Sequence, residues 1–347
     1  MEKKLEKNPK QTIFSLLTTR KLPVPALKDT LRKLKNRIRA VGSNNKEKME
    51  EFDKALDEFS KNQGIILQSR LLLSAKNTNN WLYDYQLDHD FLKKRDPLIC
   101  QSSYYTLMNF KFKTCTEAVV KLILSQIFLK NNVVNNNIKE LTKLDTYQYF
   151  FLFHTCRIPY KNLDELITFE YNQNKHVILL YKGVFWMINV SFDYNVIYQQ
   201  IEYILMLNVS DKKSTRHIFG KLTGFEDRNN WADFRHKFIN FSPKNKIFID
   251  YIEQSLILIC IEDKKSTDFI SISDFSKYCW FGGDDEEGPN RYFDKVVQYV
   301  CFQDGYVAIN FDNSALDFSM SFEVIKFIKD ICEKGDGLLI DENKDGN

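Results

Sequence analysis

The chain has 347 residues, 44% of them hydrophobic and only 12 glycine, which is enough apolar content for one large domain or two small ones and excludes a linker or a disordered tail. Its 49 Lys+Arg residues alternate with 46 Asp+Glu for a formal charge of +3, so composition offers no basic patch and argues against a nucleic-acid partner. The longest apolar stretches, around Val177–Tyr181 and Ser255–Ile261, are too short to cross a bilayer.

In chain order, Leu27, Leu31, Leu34, Ile38 and Val41 share one helical face, and Gly42 is a natural C-terminal stop. The polar turn Ser43 to Lys48 leads to a second amphipathic helix opened by Met49, Phe52, Leu56 and Phe59. Cys115 to Leu129 reads as a third helix, ended by an asparagine-rich loop from Asn131 to Asn137. Val177–Tyr181 and Val184–Ile188 predict a β-hairpin across Lys182-Gly183. Tyr194 to Leu207 is apolar enough to be helical, and Ser255 to Cys260 reads as a buried strand. Gly282-Gly283, before the acidic run Asp284 to Glu287, is a turn. Val296 to Phe302 and Tyr306 to Phe311 predict a second hairpin across Asp304-Gly305. A closing helix spans Ser321 to Glu333 with Phe322, Ile325, Ile328 and Cys332 inward, and Gly335 to Asn347 is a polar tail. Strands mixed with covering helices define an α/β fold, a mixed β-sheet covered by helices and preceded by an N-terminal helical pair. The expected organisation is an extension over 1–21, a helical region over 22–98, an α/β domain over 99–334 and the tail over 335–347.

Seven cysteines, odd in number and without a Cys-x-x-Cys, read as reduced and mostly buried thiols. The five histidines show no metal-ligand spacing, and Asp88-His89-Asp90 reads as a solvated loop. The acids Glu2 and Glu6 argue against a mitochondrial transit peptide, and the final Lys344-Asp345-Gly346-Asn347 is no peroxisomal tripeptide. A soluble cytoplasmic protein with no membrane partner is the expectation.

The run Arg291-Tyr292-Phe293-Asp294-Lys295, an apolar strand, Asp304-Gly305, then Asp312-Asn313 and Asp317 resembles the active-site signature of the carnitine/choline acyltransferase family. Leu22-Pro23-Val24-Pro25-Ala26-Leu27 resembles that family's N-terminal signature, without the Leu-Pro that usually precedes it. Asn80-Trp81-Leu82 with Phe91-Leu92-Lys93-Lys94-Arg95-Asp96-Pro97-Leu98 resembles the entry to its catalytic half. Gln148-Tyr149, Leu152-Phe153 and Thr155-Cys156-Arg157-Ile158-Pro159 match another stretch, with Tyr160 replacing a glycine. Leu222-Thr223, Arg228 and Trp231-Ala232 match a further one, with one extra residue before the arginine. These strings stand in family order and cover roughly Leu22 to Lys329.

The resemblance implies a coenzyme A-dependent acyltransferase-like half-unit. Family enzymes move an acyl group between coenzyme A and the hydroxyl of carnitine or choline, using a histidine as general base. Asn313 occupies that histidine's position and Phe318 the place of a small residue. Asp312 is the acid beside the base, and Asp317 matches a second acid that in the family pairs with a basic group from the other half. A carboxamide has no basic lone pair near neutral pH, and a positioned base contributes roughly 10²–10⁴ in rate. The resemblance covers the family's N-terminal half alone, so the groups that hold coenzyme A and carnitine in the other half are expected to be lacking. The expectation is a catalytically inactive relative, without a cofactor, that works as an interaction or structural protein. A protein partner or a second copy would cover the face left by the missing half. The alternatives are an acyltransferase completed by a separate chain and a module that binds a small ligand such as carnitine or an acyl group.

Overall fold

The computed structural model describes residues 21–42, 46–135, 146–170, 176–207, 218–282 and 289–334. The expected N-terminal extension up to Arg20, the residues Ser43 to Asn45 and Asn136-Asn137, Gly283 with the acidic run after it, and the tail from Gly335 lie outside the described residues. Two compact units emerge, one ending at Leu87 and one beginning at Asp88.

The first unit is helical: α1 (Leu27–Gly42), α2 (Lys46–Lys61) and α3 (Gln63–Lys76). The expected pair is thus joined by a third helix. Its sequence, Gln-Gly-Ile-Ile-Leu-Gln-Ser-Arg-Leu-Leu-Leu, is apolar nearly all round and so lacks the one-sided periodicity that betrays a surface helix. Gly64 lets α3 approach α1 and α2, because a Cβ there would lie 2.8 Å from the Phe59 carbonyl and 3.2 Å from Leu27. The Leu22 N–H donates to the Asn79 carbonyl at 2.7 Å and closes the unit.

The second unit is built on a six-stranded mixed sheet ordered β1-β8-β7-β6-β4-β5. Its strands are β1 (Ser103–Leu107), β4 (His176–Tyr181), β5 (Val184–Asn189), β6 (Leu258–Ile261), β7 (Val297–Cys301) and β8 (Val307–Asp312). A separate two-stranded ribbon pairs β2 (Thr155–Ile158) with β3 (Glu165–Thr168). Both expected hairpins form. Lys182 and Gly183 turn β4 into β5 with φ of 50° and 69°, the backbone that suits a two-residue hairpin. Gly305 turns β7 into β8 at φ 83°, and a Cβ there would sit 2.1 Å from the Phe112 carbonyl oxygen.

β4, β6 and β7 run parallel, so their connections cross over through helices. Between β5 and β6 lie α5 (Tyr194–Met206), α6 (Ile218–Gly224), α7 (Arg228–Phe241) and α8 (Pro243–Gln254), while α9 (Ile272–Phe281) joins β6 to β7. Before β2 comes α4 (Cys115–Val134), capped by the Thr114 hydroxyl, which accepts from the Glu117 N–H at 3.1 Å. Its Ala118, Val119, Val120, Leu122 and Ile123 are fully buried. The helix runs past its expected end through Asn131 and Asn132, and the Asn132 side chain bonds back to the Phe128 carbonyl at 2.9 Å. The expected strand from Ser255 begins instead at Leu258, since Ser255 terminates α8.

The closing helix, α10 (Phe318–Lys334), starts three residues earlier than its apolar pattern suggested. Its inward face also differs from the one expected: Val324, Ile328 and Ile331 are buried, whereas Phe322 points outward and is 57% exposed. Asp88-His89-Asp90 belongs to a π-helical turn, Leu87–Leu92, rather than to a loop. Cys115, Cys156, Cys260, Cys279 and Cys301 are buried free thiols, as the cysteine spacing implied.

Candidate functional site

Strand β8 ends by delivering Asp312 and Asn313 to a tight turn. The Asp312 N–H donates to the Val296 carbonyl at 3.0 Å, and the Asn313 N–H donates to the Ser102 carbonyl at 2.9 Å. Ala315 and Leu316 donate their N–H groups back to the Asp312 carbonyl, both at 3.1 Å. Asp312 is buried, with Oδ1 accepting from the Ser314 N–H at 2.9 Å and Oδ2 standing 3.8 Å from Arg157 Nη1. Asn313 itself is exposed. The turn is therefore fixed through the main chain, and it presents a side chain outward that hydrogen-bonds but takes no proton.

Asp317 opens α10. Its Oδ1 accepts from the N–H groups of Ser319 at 2.9 Å and Met320 at 3.2 Å, and also from the Ser319 hydroxyl. Its Oδ2 accepts from Gln148 Nε2 at 2.6 Å, while its own N–H donates to Gln148 Oε1 at 2.9 Å. Partial burial pulls this carboxyl upward, but the bonds from Ser319, Gln148 and the backbone outweigh it and hold the group below the usual aspartate range. Asp317 is a satisfied helix cap. Beside it the Tyr104 hydroxyl donates to both the Leu316 and Asp317 carbonyls, at 3.0 and 2.9 Å. The Tyr104 ring stacks on Phe311 at 5.3 Å and meets Phe318 at 5.7 Å, and Phe318 meets Phe322 at 5.0 Å. The outer end of this aromatic row is open, with Phe318 53% exposed.

Beneath the turn lies a dry ionic frame. Asp164 Oδ2 accepts from Nε of Arg157 and Nε of Arg228, each at 2.8 Å, and Arg95 Nη2 reaches Asp164 Oδ1 at 3.0 Å. Arg228 Nη1 continues to Asp294 Oδ1 at 2.6 Å, whose other oxygen accepts from Trp231 Nε1 at 2.6 Å. Arg157 Nη1 donates to the Ser102 hydroxyl at 3.2 Å, and Ser102 in turn accepts the Asn313 N–H. Three arginines (Arg95, Arg157, Arg228) face three aspartates (Asp164, Asp294, Asp312), so the frame is charge-balanced. Such balance is what makes buried charges tolerable. Lys295 sits nearby, its ammonium donating to the carbonyls of Glu253 at 2.8 Å and Ser255 at 2.6 Å, with burial lowering its pKa to about 8.

Four of the strings singled out in sequence thus meet in space. Arg95, Arg157, Arg228 with Trp231, and Asp294 each come from a different one. Asp312 ends β8 and serves the buried frame, Asp317 caps α10, and Asn313, in the turn between them, faces outward. Sequence reading missed Asp164 and Ser102. Asp164 had a faint signal, as the one acid in the Asn162-Leu163-Asp164 turn after the Thr155–Pro159 string; Ser102 had none. Among the described residues no group of three or more His, Cys, Asp or Glu is arranged to hold a metal ion. No described helix is long and apolar enough to cross a membrane.

The second unit, a mixed sheet covered by helices, has the α/β architecture that the acyltransferase resemblance implied. The family model for choline/carnitine O-acyltransferase matches residues 22–345, and the chain belongs to that family. It is 25% identical over 341 residues to the mitochondrial carnitine O-acetyltransferase of Saccharomyces cerevisiae, covering 92% of this chain and 49% of that protein. It is 26% identical over 321 residues to the choline O-acetyltransferase of Danio rerio, covering 86% of this chain and 49% of that protein. A shorter stretch of 174 residues, 49% of this chain and 25% of the relative, is 33% identical to the mitochondrial carnitine O-palmitoyltransferase 2 of Xenopus tropicalis. The chain spans about half the length of the curated relatives that it matches along most of its length. Among solved structures, a chloramphenicol acetyltransferase aligns over 72% of this chain and 95% of its own at 11% identity and a TM-score of 0.35.

Proposed function

We propose that this chain is a catalytically inactive member of its family whose acyltransferase scaffold binds another polypeptide. The observation that carries the reading is Asn313, an exposed carboxamide at the position where the family resemblance puts the general base. Neither neighbouring acid substitutes for it, because Asp312 is buried beside Arg157 and Asp317 is occupied by donors from Ser319, Met320 and Gln148. The half-exposed aromatic row from Tyr104 through Phe318 to Phe322 supports a binding role for the same face. Incubating the purified chain with acetyl coenzyme A and carnitine or choline, and following thiol release, is expected to give no turnover above buffer. Turnover that disappears in Asn313→Ala would overturn the claim of inactivity. Sizing the native complex and identifying what copurifies tests the binding role, and loss of the partner in Phe318→Ser with Phe322→Ser is the expected result.

The extent of the matches favours one second reading, an acyltransferase completed by a separate chain, since the matched region is about half of each long relative. Copurification of a polypeptide resembling the rest of those relatives, with transfer activity in the complex, would establish it and sink the first.

A further inference from the structure

The overall charge of +3 conceals a segregated one. Helix α1 holds Lys28, Arg32, Lys33, Lys35, Arg37 and Arg39 against the single acid Asp29. At 100° per residue its apolar residues Leu27, Leu31, Leu34, Ile38 and Val41 form one narrow stripe. Lys33 and Arg37 flank that stripe on one side, and Lys28, Lys35 and Arg39 flank it on the other. Lys35 and Arg39 are used within the helical unit, both reaching Asp53 of α2, at 2.9 and 2.8 Å. Arg32 pairs only with Asp29 on its own helix, at 3.4 Å. Among the described residues Lys28, Lys33 and Arg37 form no ion pair. The stripe is only partly used as well. Leu27 and Leu31 are half-buried, whereas Leu34 is 41%, Ile38 37% and Val41 91% exposed.

We infer that α1 is an interfacial helix that docks the chain on an anionic lipid surface. The chemistry is specific to that occupant. A narrow aliphatic stripe enters the boundary between headgroups and acyl chains to a shallow depth. The long stems of Lys33 and Arg37 then reach back to anionic headgroups. An excess of cations over acids on one short helix complements the negative potential of such a surface, with roughly fivefold in affinity per Lys or Arg that reaches it. The helix has 16 residues, and at about 1.5 Å per residue it is roughly 24 Å long, suited to lie in the interface and too polar to span it. An acidic protein would meet the cations equally well but would not require the uncovered Leu34, Ile38 and Val41 beside them.

The test is co-sedimentation of the full chain with vesicles of phosphatidylcholine alone or of phosphatidylcholine with phosphatidylserine. The chain is expected to sediment with the anionic vesicles, not with the neutral ones, and to be released by added salt. Replacing Lys33→Gln together with Arg37→Gln, both exposed, is expected to weaken partition about 25-fold. Val41→Asp is expected to weaken it roughly tenfold or more by removing the inserted methyls. Circular dichroism and the urea midpoint of each variant should match the parent, which separates lost binding from lost folding. Equal partition into both vesicle types, or anionic binding unchanged in the double variant, would overturn the assignment. Capture by immobilised polyglutamate without vesicle binding would assign the face to an acidic protein and overturn it too.

Discussion

Replacing Asp164 by asparagine is the sharpest test of the buried frame. The substitution keeps the shape but removes the charge that serves Arg157, Arg228 and Arg95 at 2.8, 2.8 and 3.0 Å. Asp164, Arg157 and Arg228 are all fully buried, so water cannot replace the lost acid. Three arginines would then face only Asp294 and Asp312, leaving one excess cation in a dry interior. Removing one partner of a buried ion pair costs about 3–5 kcal/mol. For a unit of this size each kcal/mol moves the melting temperature by about 2–4 °C, so the expected fall is about 6–20 °C. Differential scanning calorimetry or urea unfolding reads it directly. Asp29→Asn, which breaks an exposed pair on α1, is the control and should change stability by less than about 0.5 kcal/mol. A loss under about 1 kcal/mol for Asp164→Asn would refute the view that these charges form one interdependent frame.

Four further outcomes follow from other sites. Gly305→Ala forces a Cβ to 2.1 Å from the Phe112 carbonyl at φ 83° and should destabilise by about 2 kcal/mol or more, measured by urea midpoint. Asp317→Ala removes the cap of α10 and should cost about 0.5–2 kcal/mol. Because the folded state lowers the pKa of Asp317, its contribution is present above the unfolded aspartate range and is lost as pH falls through the folded value; acid titration of the difference between parent and variant checks this. Lys130 lies 2.6 Å from His154 Nε2, and burial lowers its pKa to about 6, so above that pH the unfolded chain holds a proton that the folded chain lacks. Stability should therefore rise between pH 6 and 8 by up to about 1.4 kcal/mol per pH unit, and Lys130→Met should flatten that slope in urea unfolding at stepped pH.

Much of the second unit was legible because its signals are local. Lys182-Gly183 and Asp304-Gly305 announce their hairpins through the backbone those turns need. The misplaced elements share a cause. The start of α10 was read from apolar spacing, but Asp317 sets it through bonds to Ser319 and Met320, and the inward face carries Val324 and Ile331 rather than Phe322. Helix α3 escaped notice because periodicity carries no information when almost every face is apolar. At the site, Asp312, Asn313 and Asp317 were singled out as positions of the resembling motif, whereas their tasks in the fold depend on partners distant in sequence. Gln148, Ser102 and Arg157 come from 169, 211 and 155 positions away from the residues they serve, and no local pattern encodes such meetings. The charge of α1 was averaged away for a related reason, since a whole-chain balance cannot register cations gathered on one helix.

The bond from the Asn313 N–H to the Ser102 carbonyl belongs to the main chain, and the turn around it is tied by Asp312, Ser314 and Tyr104. Any residue able to adopt that backbone can stand at 313 while the socket keeps its shape. The side chain at 313 can therefore be exchanged without disturbing the turn that carries it. Asn313→Ala and Asn313→His should each melt within about 0.5 kcal/mol of the parent, as surface changes do.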